Sequence, residues 1–197
     1  MDTHWAVDIG AEDVAAALAS NMKLPLIASR ISRLVIDVNR PLSSDTLFRL
    51  TAEGKPVTLN IELSPEDRQE RIDRYWKPYR HDLSEMLIDN PAIDLVLSIH
   101  SFTPLYEGEP RDCEIGVLYV DSKKEGQFFL KELGAKGYKV VDNEPWPATL
   151  CDVLKPVVAA GRQCVILEIR NDLASNTTFR KRLEDDLQAI LESLELA

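Results

Sequence analysis

Residues Ile93 to Pro104, IDLVLSIHSFTP, constrain the fold more than any other stretch: five apolar residues between Ile93 and Ile99, then His100, two hydroxyl residues and a proline. A short apolar run of this kind suits a central strand buried on both faces, although periodicity alone leaves a buried helix open. As a strand it delivers its polar cluster to its carboxyl end, where ligands of open α/β sheets collect. His100 is therefore a candidate functional residue facing a cleft. The plainer role is a buried histidine satisfied by a neighbouring hydroxyl.

The rest of the chain supports an α/β reading. Ala11 to Asn21 places Val14, Ala15, Leu18 and Ala19 on one helical face, with Glu12 and Asp13 at its start. Strands are expected at Met22 to Ala28, at Leu34 to Val38 and, within a long irregular excursion from Pro41 to Ser64, at Val57 to Ile61. Arg33 and Asn39-Arg40 would sit at opposite mouths of the second strand or fold back together. Ser64-Pro65-Glu66-Asp67 reads as a helix start, and Ile72, Tyr75, Trp76, Tyr79, Leu83, Met86 and Leu87 recur at helical spacing through to Asn90. Such an aromatic stripe is a core face, with Arg68, Arg71 and Arg74 on the solvated side and His81 at the surface. Ile115 to Val120 is the next strand, Lys123 to Leu133 a helix ending at Gly134, and Tyr138 to Val141 a strand running into the loop DNEPWPATL. Cys151 to Ala159 suits a short helix closed by Gly161. Cys164 to Ile169 is a buried strand carrying Glu168, and a last helix uses Phe179, Leu183, Leu187, Ile190, Leu191 and Leu194. Strands alternating with helices imply a largely parallel sheet.

With 197 residues the chain suits one domain, 1–197. Its 23 Lys and Arg against 33 Asp and Glu give a net charge of −10, which argues against nucleic acid or an anionic membrane as partner. The start has neither the basic segment nor the apolar core of a signal peptide, and no apolar run reaches spanning length. The three cysteines show no CxxC spacing, and an odd number cannot all pair within the chain. A soluble, cytoplasmic protein is expected. Oligomeric state is not encoded in any of these features.

Four polar clusters fall at expected strand ends: Arg33 with Asn39-Arg40, His100-Ser101, Asp142-Asn143-Glu144, and Glu168 to Asp172. A carboxylate on a buried strand must be paired, hydrogen-bonded or used, because an isolated buried charge costs several kcal/mol. Glu168 therefore has a partner or a task. An ion pair that merely ties strands together is one outcome. The other joins the parts into a metal-assisted hydrolase, in which His100 binds zinc, Glu168 activates water and the arginines hold an anionic substrate through their two-pronged geometry. Ser101 as a nucleophile fits poorly, since SIHSF lacks the GxSxG elbow.

Six segments, HWAVDIGA at 4–11, SRLVIDVNRP at 32–41, SIHSFTP at 98–104, IGVLYVD at 115–121, DNEPW at 142–146 and EIRNDL at 168–173, resemble the N-formylglutamate amidohydrolase family in order and spacing over nearly the whole chain. The resemblance implies a three-layer α/β/α sandwich with a mixed, largely parallel sheet, phosphorylase/hydrolase-like and akin to zinc carboxypeptidases. It implies hydrolysis of an N-acyl amino acid such as N-formyl-L-glutamate. On that pattern His100 is a zinc ligand and Glu168 is the general base; His4, together with Asp8, is a possible further metal ligand that the pattern does not assign. Arg33 polarises the scissile carbonyl, and Asn39 and Arg40 grip a substrate carboxylate; Ser101 and Arg170, from the polar clusters at the strand ends, are further substrate-binding candidates. Two departures stand beside this. The family's histidine motif of the CDHAS or PHSG kind belongs ahead of the HWAVDIGA-like segment, and the stretch CDVLKPVVAAG has no histidine where many members carry one. A truncated or inactive member that binds an acidic amino acid or peptide is the alternative expectation.

Overall fold

A computed structural model describes residues 5–106, 108–148, 151–152 and 154–194. Its centre is a four-stranded sheet in the order β3-β8-β6-β7, made of β3 (Leu95–Phe102), β6 (Ile115–Leu118), β7 (Val140–Asp142) and β8 (Gln163–Arg170). β3 runs parallel to β8 and β6 parallel to β7, while β6 and β8 are antiparallel. The sheet is thus mixed, as two parallel ladders joined back to back.

Alternation along β8 sends its side chains into two separate cores. Val165, Leu167 and Ile169 pack with α1 (Ala11–Met22), α4 (Lys123–Ala135) and α7 (Thr177–Ser193) through Val14, Phe129, Leu133, Leu183 and Leu187. Cys164 and Ile166 face the other way, onto Leu83 and Leu87 of α3 (Lys77–Asp89) and Val157 of α5 (Leu154–Ala159). Three layers result. Ile166 and Leu167 are completely buried, on opposite faces, and each such side chain contributes roughly 1.5–3 kcal/mol of burial. The three thiols are free, and burial pushes Cys151 up to about 11 and Cys164 up to about 12, so neither is poised as a nucleophile.

Ser64 caps α2 (Pro65–Arg71) by accepting from the Asp67 N–H, with Pro65 in the first turn. The helix is not uniform to its end. A π turn, Ile72–Trp76, separates α2 from α3, immediately before Pro78, whose missing N–H and bulky ring a regular α-helix would not accommodate. Arg71 is half-buried rather than fully solvated: it donates to the carbonyls of Val35 and Leu59 and to Asn60 Oδ1. α4 runs through Gly134 and ends before Gly137, which takes the left-handed φ of 89°. His81 is exposed, as expected.

Three expected strands are absent. Of Met22 to Ala28, Met22 closes α1 and the rest is irregular, with no ladder partner among the described residues and with Leu24 and Leu26 exposed. Leu34 to Val38 folds as turns, its N–H groups satisfied locally through Val35 and Ile36 to the Ser32 carbonyl and Arg40 to that of Asp37. The alternating bulk there fills two satellite cores instead, Leu34 beside Val57 and Ile36 beside Leu47 and Phe48. Val57 to Ile61 is a single 3-10 turn, Thr58–Asn60, after the small hairpin of β1 (Thr51–Ala52) and β2 (Lys55–Pro56). A second hairpin, β4 (Leu105–Tyr106) with β5 (Glu109–Pro110), follows β3, and α6 (Asn171–Ala174) follows β8.

Candidate active site

The parallel register of β3 and β8 sets His100 directly beside Glu168 at the carboxyl end of both strands. On the far side of β8, Gly116 stands opposite Glu168. The absence of a side chain at Gly116 matters: a Cβ there would fall on the carbonyl oxygen of Glu144. The DNEPW loop, with its cis Glu144–Pro145 peptide, thereby lies close against the sheet, and Trp146 donates its Nε1–H to Glu168 Oε1 at 3.1 Å. Glu168 is 3% exposed, and its second oxygen, Oε2, is buried with no hydrogen-bond partner among the described residues.

The turn segment 33–40 supplies the opposing charges. Asp8 Oδ2 meets His100 Nδ1 at 2.6 Å, while Asp8 Oδ1 accepts from Arg33 at 2.8 Å. Arg33 also donates to Asp37 Oδ2, and Arg40 Nε lies 3.6 Å from the same oxygen. Arg33 and Arg40 therefore fold back onto one carboxylate. Asp37 Oδ1 in turn accepts the Asn39 N–H, and Trp76 donates to the Arg40 carbonyl. Arg80 anchors the segment from α3 by donating to the Val38 carbonyl and to both the carbonyl and carboxylate of Asp152. A cavity of about 760 Å³ runs along the outer side of β3, lined by Leu83, Met86 and Leu97, and reaches Asp8, Arg33 and His100.

The electrostatics follow from burial and pairing. Burial alone would raise the Asp8 carboxyl, but the hydrogen bond and charge of His100, with Arg33, outweigh it and hold Asp8 at about 2. Burial works against the His100 imidazolium, yet Asp8, helped by Glu168, keeps its pKa above the ordinary value. Glu168 is pushed up to about 7 by burial, reinforced by Asp8 and only partly offset by His100, Arg33 and Trp146. Arg33 stays charged: Asp8 and Asp37 more than offset its desolvation.

Of the residues expected from the sequence, Glu168, Arg33, His100, Asn39 and Arg40 come together here. Ser101 and Arg170 do not. Alternation puts Ser101 on the sheet face opposite His100, where its Oγ is buried and unbonded. Arg170 is committed to Asp172 and to the carbonyls of Arg111 and Cys113. His4 lies outside the described residues. Asp37, Arg80 and Trp146 are partners that no sequence signal assigned, and Asp8, a candidate companion of His4 in the sequence, is paired with His100. A histidine backed by a carboxylate has the form of a metal ligand. Among the described residues, however, no group of three His, Cys, Asp or Glu side chains could hold a metal ion, so they do not make a zinc site by themselves.

The fold has counterparts among solved structures. The chain superimposes on a gene product of Agrobacterium tumefaciens with a TM-score of 0.88 and 29% identity, covering 97% of this chain and 78% of the other. It shares its fold with the N-formylglutamate amidohydrolase of Ralstonia eutropha, at a TM-score of 0.72 and 21% identity over 93% of this chain and 80% of that one. No curated protein sequence matches it significantly. The sequence model of the N-formylglutamate amidohydrolases matches residues 1–175, and the chain belongs to that family.

Proposed function

We propose that the chain hydrolyses the amide bond of an N-acyl amino acid, with N-formyl-L-glutamate the foremost substrate, giving formate and glutamate. The observation that carries this reading is Glu168, a fully buried carboxylate aligned with His100, one oxygen held by Trp146 and the other unpartnered. A carboxylate kept so far from water, with a pKa near neutrality, is suited to take a proton from an attacking water. Arg33, held by two carboxylates with 37% of its side chain exposed, is assigned the polarisation of the acyl carbonyl in this reading. Asn39 and Arg40 are assigned the substrate carboxylate.

Formate release by the purified protein, with and without added zinc, tests this reading. Turnover that falls about a hundredfold or more in Glu168→Gln and in Arg33→Gln is the expected result. Absence of turnover in the unaltered protein under both conditions overturns it. The second reading, a binder of acidic amino acids, is favoured by the lack of a three-donor group among the described residues. It predicts saturable binding of N-formyl-L-glutamate with no formate released.

A further inference from the structure

The peptide units around Asn39 and Arg40 are fixed one by one. The unit between Val38 and Asn39 is held at both ends: Arg80 donates to the Val38 carbonyl at 3.0 Å, and the Asn39 N–H reaches Asp37 Oδ1 at 3.0 Å. In the next unit the Asn39 carbonyl accepts the Asp152 N–H at 3.2 Å, and the Arg40 N–H donates to the Asp37 carbonyl at 3.0 Å. The third unit has no N–H to hold, because Pro41 follows. Its carbonyl, that of Arg40, accepts the Trp76 indole N–H at 2.8 Å. With the rigid planes on either side of each Cα set, the directions in which the Asn39 and Arg40 side chains leave the backbone are set as well.

The donors that reach in from the helix form one unit. Trp76 closes the π turn ahead of α3, Arg80 follows one turn later, and its guanidinium lies 4.8 Å from the centroid of the Trp76 ring. Arg80 also holds Asp152 by both its carbonyl and its carboxylate, so it stands behind two of the three carbonyl contacts. The side chains of Arg80 and Asp152 are only 12% and 8% exposed. A planar guanidinium can serve a carbonyl, a carboxylate and an indole face at once, which a compact ammonium cannot. Single π turns recur where a helix must present side chains to a site, and this one ends on the residue that holds Arg40.

We infer that Trp76 and Arg80 are positioning residues, which act through the backbone of residues 38–40 to aim Asn39 and Arg40 at the substrate carboxylate. The ligand is taken from the hydrolase reading, on which this role rests, but binding is tested apart from turnover. Affinity for N-formyl-L-glutamate is to be measured calorimetrically on the Glu168→Gln background, and KM and kcat on the active protein. Trp76→Phe keeps an aromatic ring beneath Arg80 and deletes the indole N–H, while Arg80→Lys keeps the charge and loses the fork. Each should weaken binding and raise KM about tenfold, with kcat changed by less than about threefold. In Arg40→Gln, where the side chain to be aimed is missing, Trp76→Phe should cost less than about threefold. Equal losses with and without the Arg40 side chain, no loss in either variant, or an effect confined to kcat overturn the positioning role. Should Arg80→Lys fail to fold, the comparison of Trp76→Phe with and without Arg40 decides alone. The expected pattern in binding without formate release by the active protein removes the hydrolase reading and leaves the role standing. Turnover by the active protein with both variants unaffected does the reverse, and absence of binding by the unaltered protein overturns both.

Discussion

At the scale of single residues, the site is a compromise between function and stability. Glu168 is buried in a place that favours its neutral form, with a pKa raised from 4.5 to about 7. The sign follows directly: a raised carboxyl makes the fold relatively more stable below the ordinary carboxylate range and less stable as pH rises through about 7. Glu168→Gln should therefore abolish turnover yet increase stability at pH 8, by an amount on the order of 3 kcal/mol, read from urea unfolding. A variant that loses stability at pH 8 would contradict the uncompensated burial of this carboxylate. Trp146 donates to the charged form and so lowers the Glu168 pKa. Removing that donor in Trp146→Phe should move the acid limb of the kcat/KM profile to higher pH. A limb that stays in place would show that another group governs it.

At the scale of elements, the segment that carries Arg33, Asp37, Asn39 and Arg40 has no ladder to hold it. It is pinned by buried polar side chains instead. Asn60, 2% exposed, donates to the carbonyls of Leu34 and Arg49, and Arg71 reaches from α2 to Asn60 Oδ1 and the Val35 carbonyl. Cutting this network leaves several buried groups without partners, each costing about 1–3 kcal/mol. Asn60→Ala should thus lower the urea midpoint by an amount equivalent to about 2–4 kcal/mol and raise KM through the displaced arginines. A stability change within about 0.5 kcal/mol would mean that the excursion is held by its satellite cores alone.

At the scale of the whole molecule, a chain of net charge −10 holds Arg33 and Arg40 together on Asp37, beside the Asp8–His100 pair at the mouth of the site. Its acidic exterior and basic mouth act oppositely on an approaching dianion, and the mouth dominates within about one Debye length. KM for N-formyl-L-glutamate should therefore rise severalfold between about 0.05 and 0.5 M salt. A KM that falls with salt would place the repulsive exterior in control. No described helix is long and apolar enough to cross a membrane, which agrees with the hydropathy of the chain.

The elements with strong local signals were legible in the amino-acid order. Ser64-Pro65 announces α2, the period-3.6 stripes announce α3 and α7, and the apolar runs ending in His100 and Glu168 announce the two strands that carry the site. These depend on contacts within a few residues, which sequence spacing reports directly. Leu34 to Val38 shows the limit: alternation records which side chains are buried, and a turn filling two small cores produces the same alternation as a strand. What only the tertiary structure decided is long-range. The parallel register of β3 and β8 set His100 beside Glu168, the bare surface of Gly116 admitted the loop that brings Trp146 to Glu168, and chain closure gave Asp8 to His100. Partners so distant along the chain are chosen by packing and charge in three dimensions, and nothing in the spacing of residues encodes that choice.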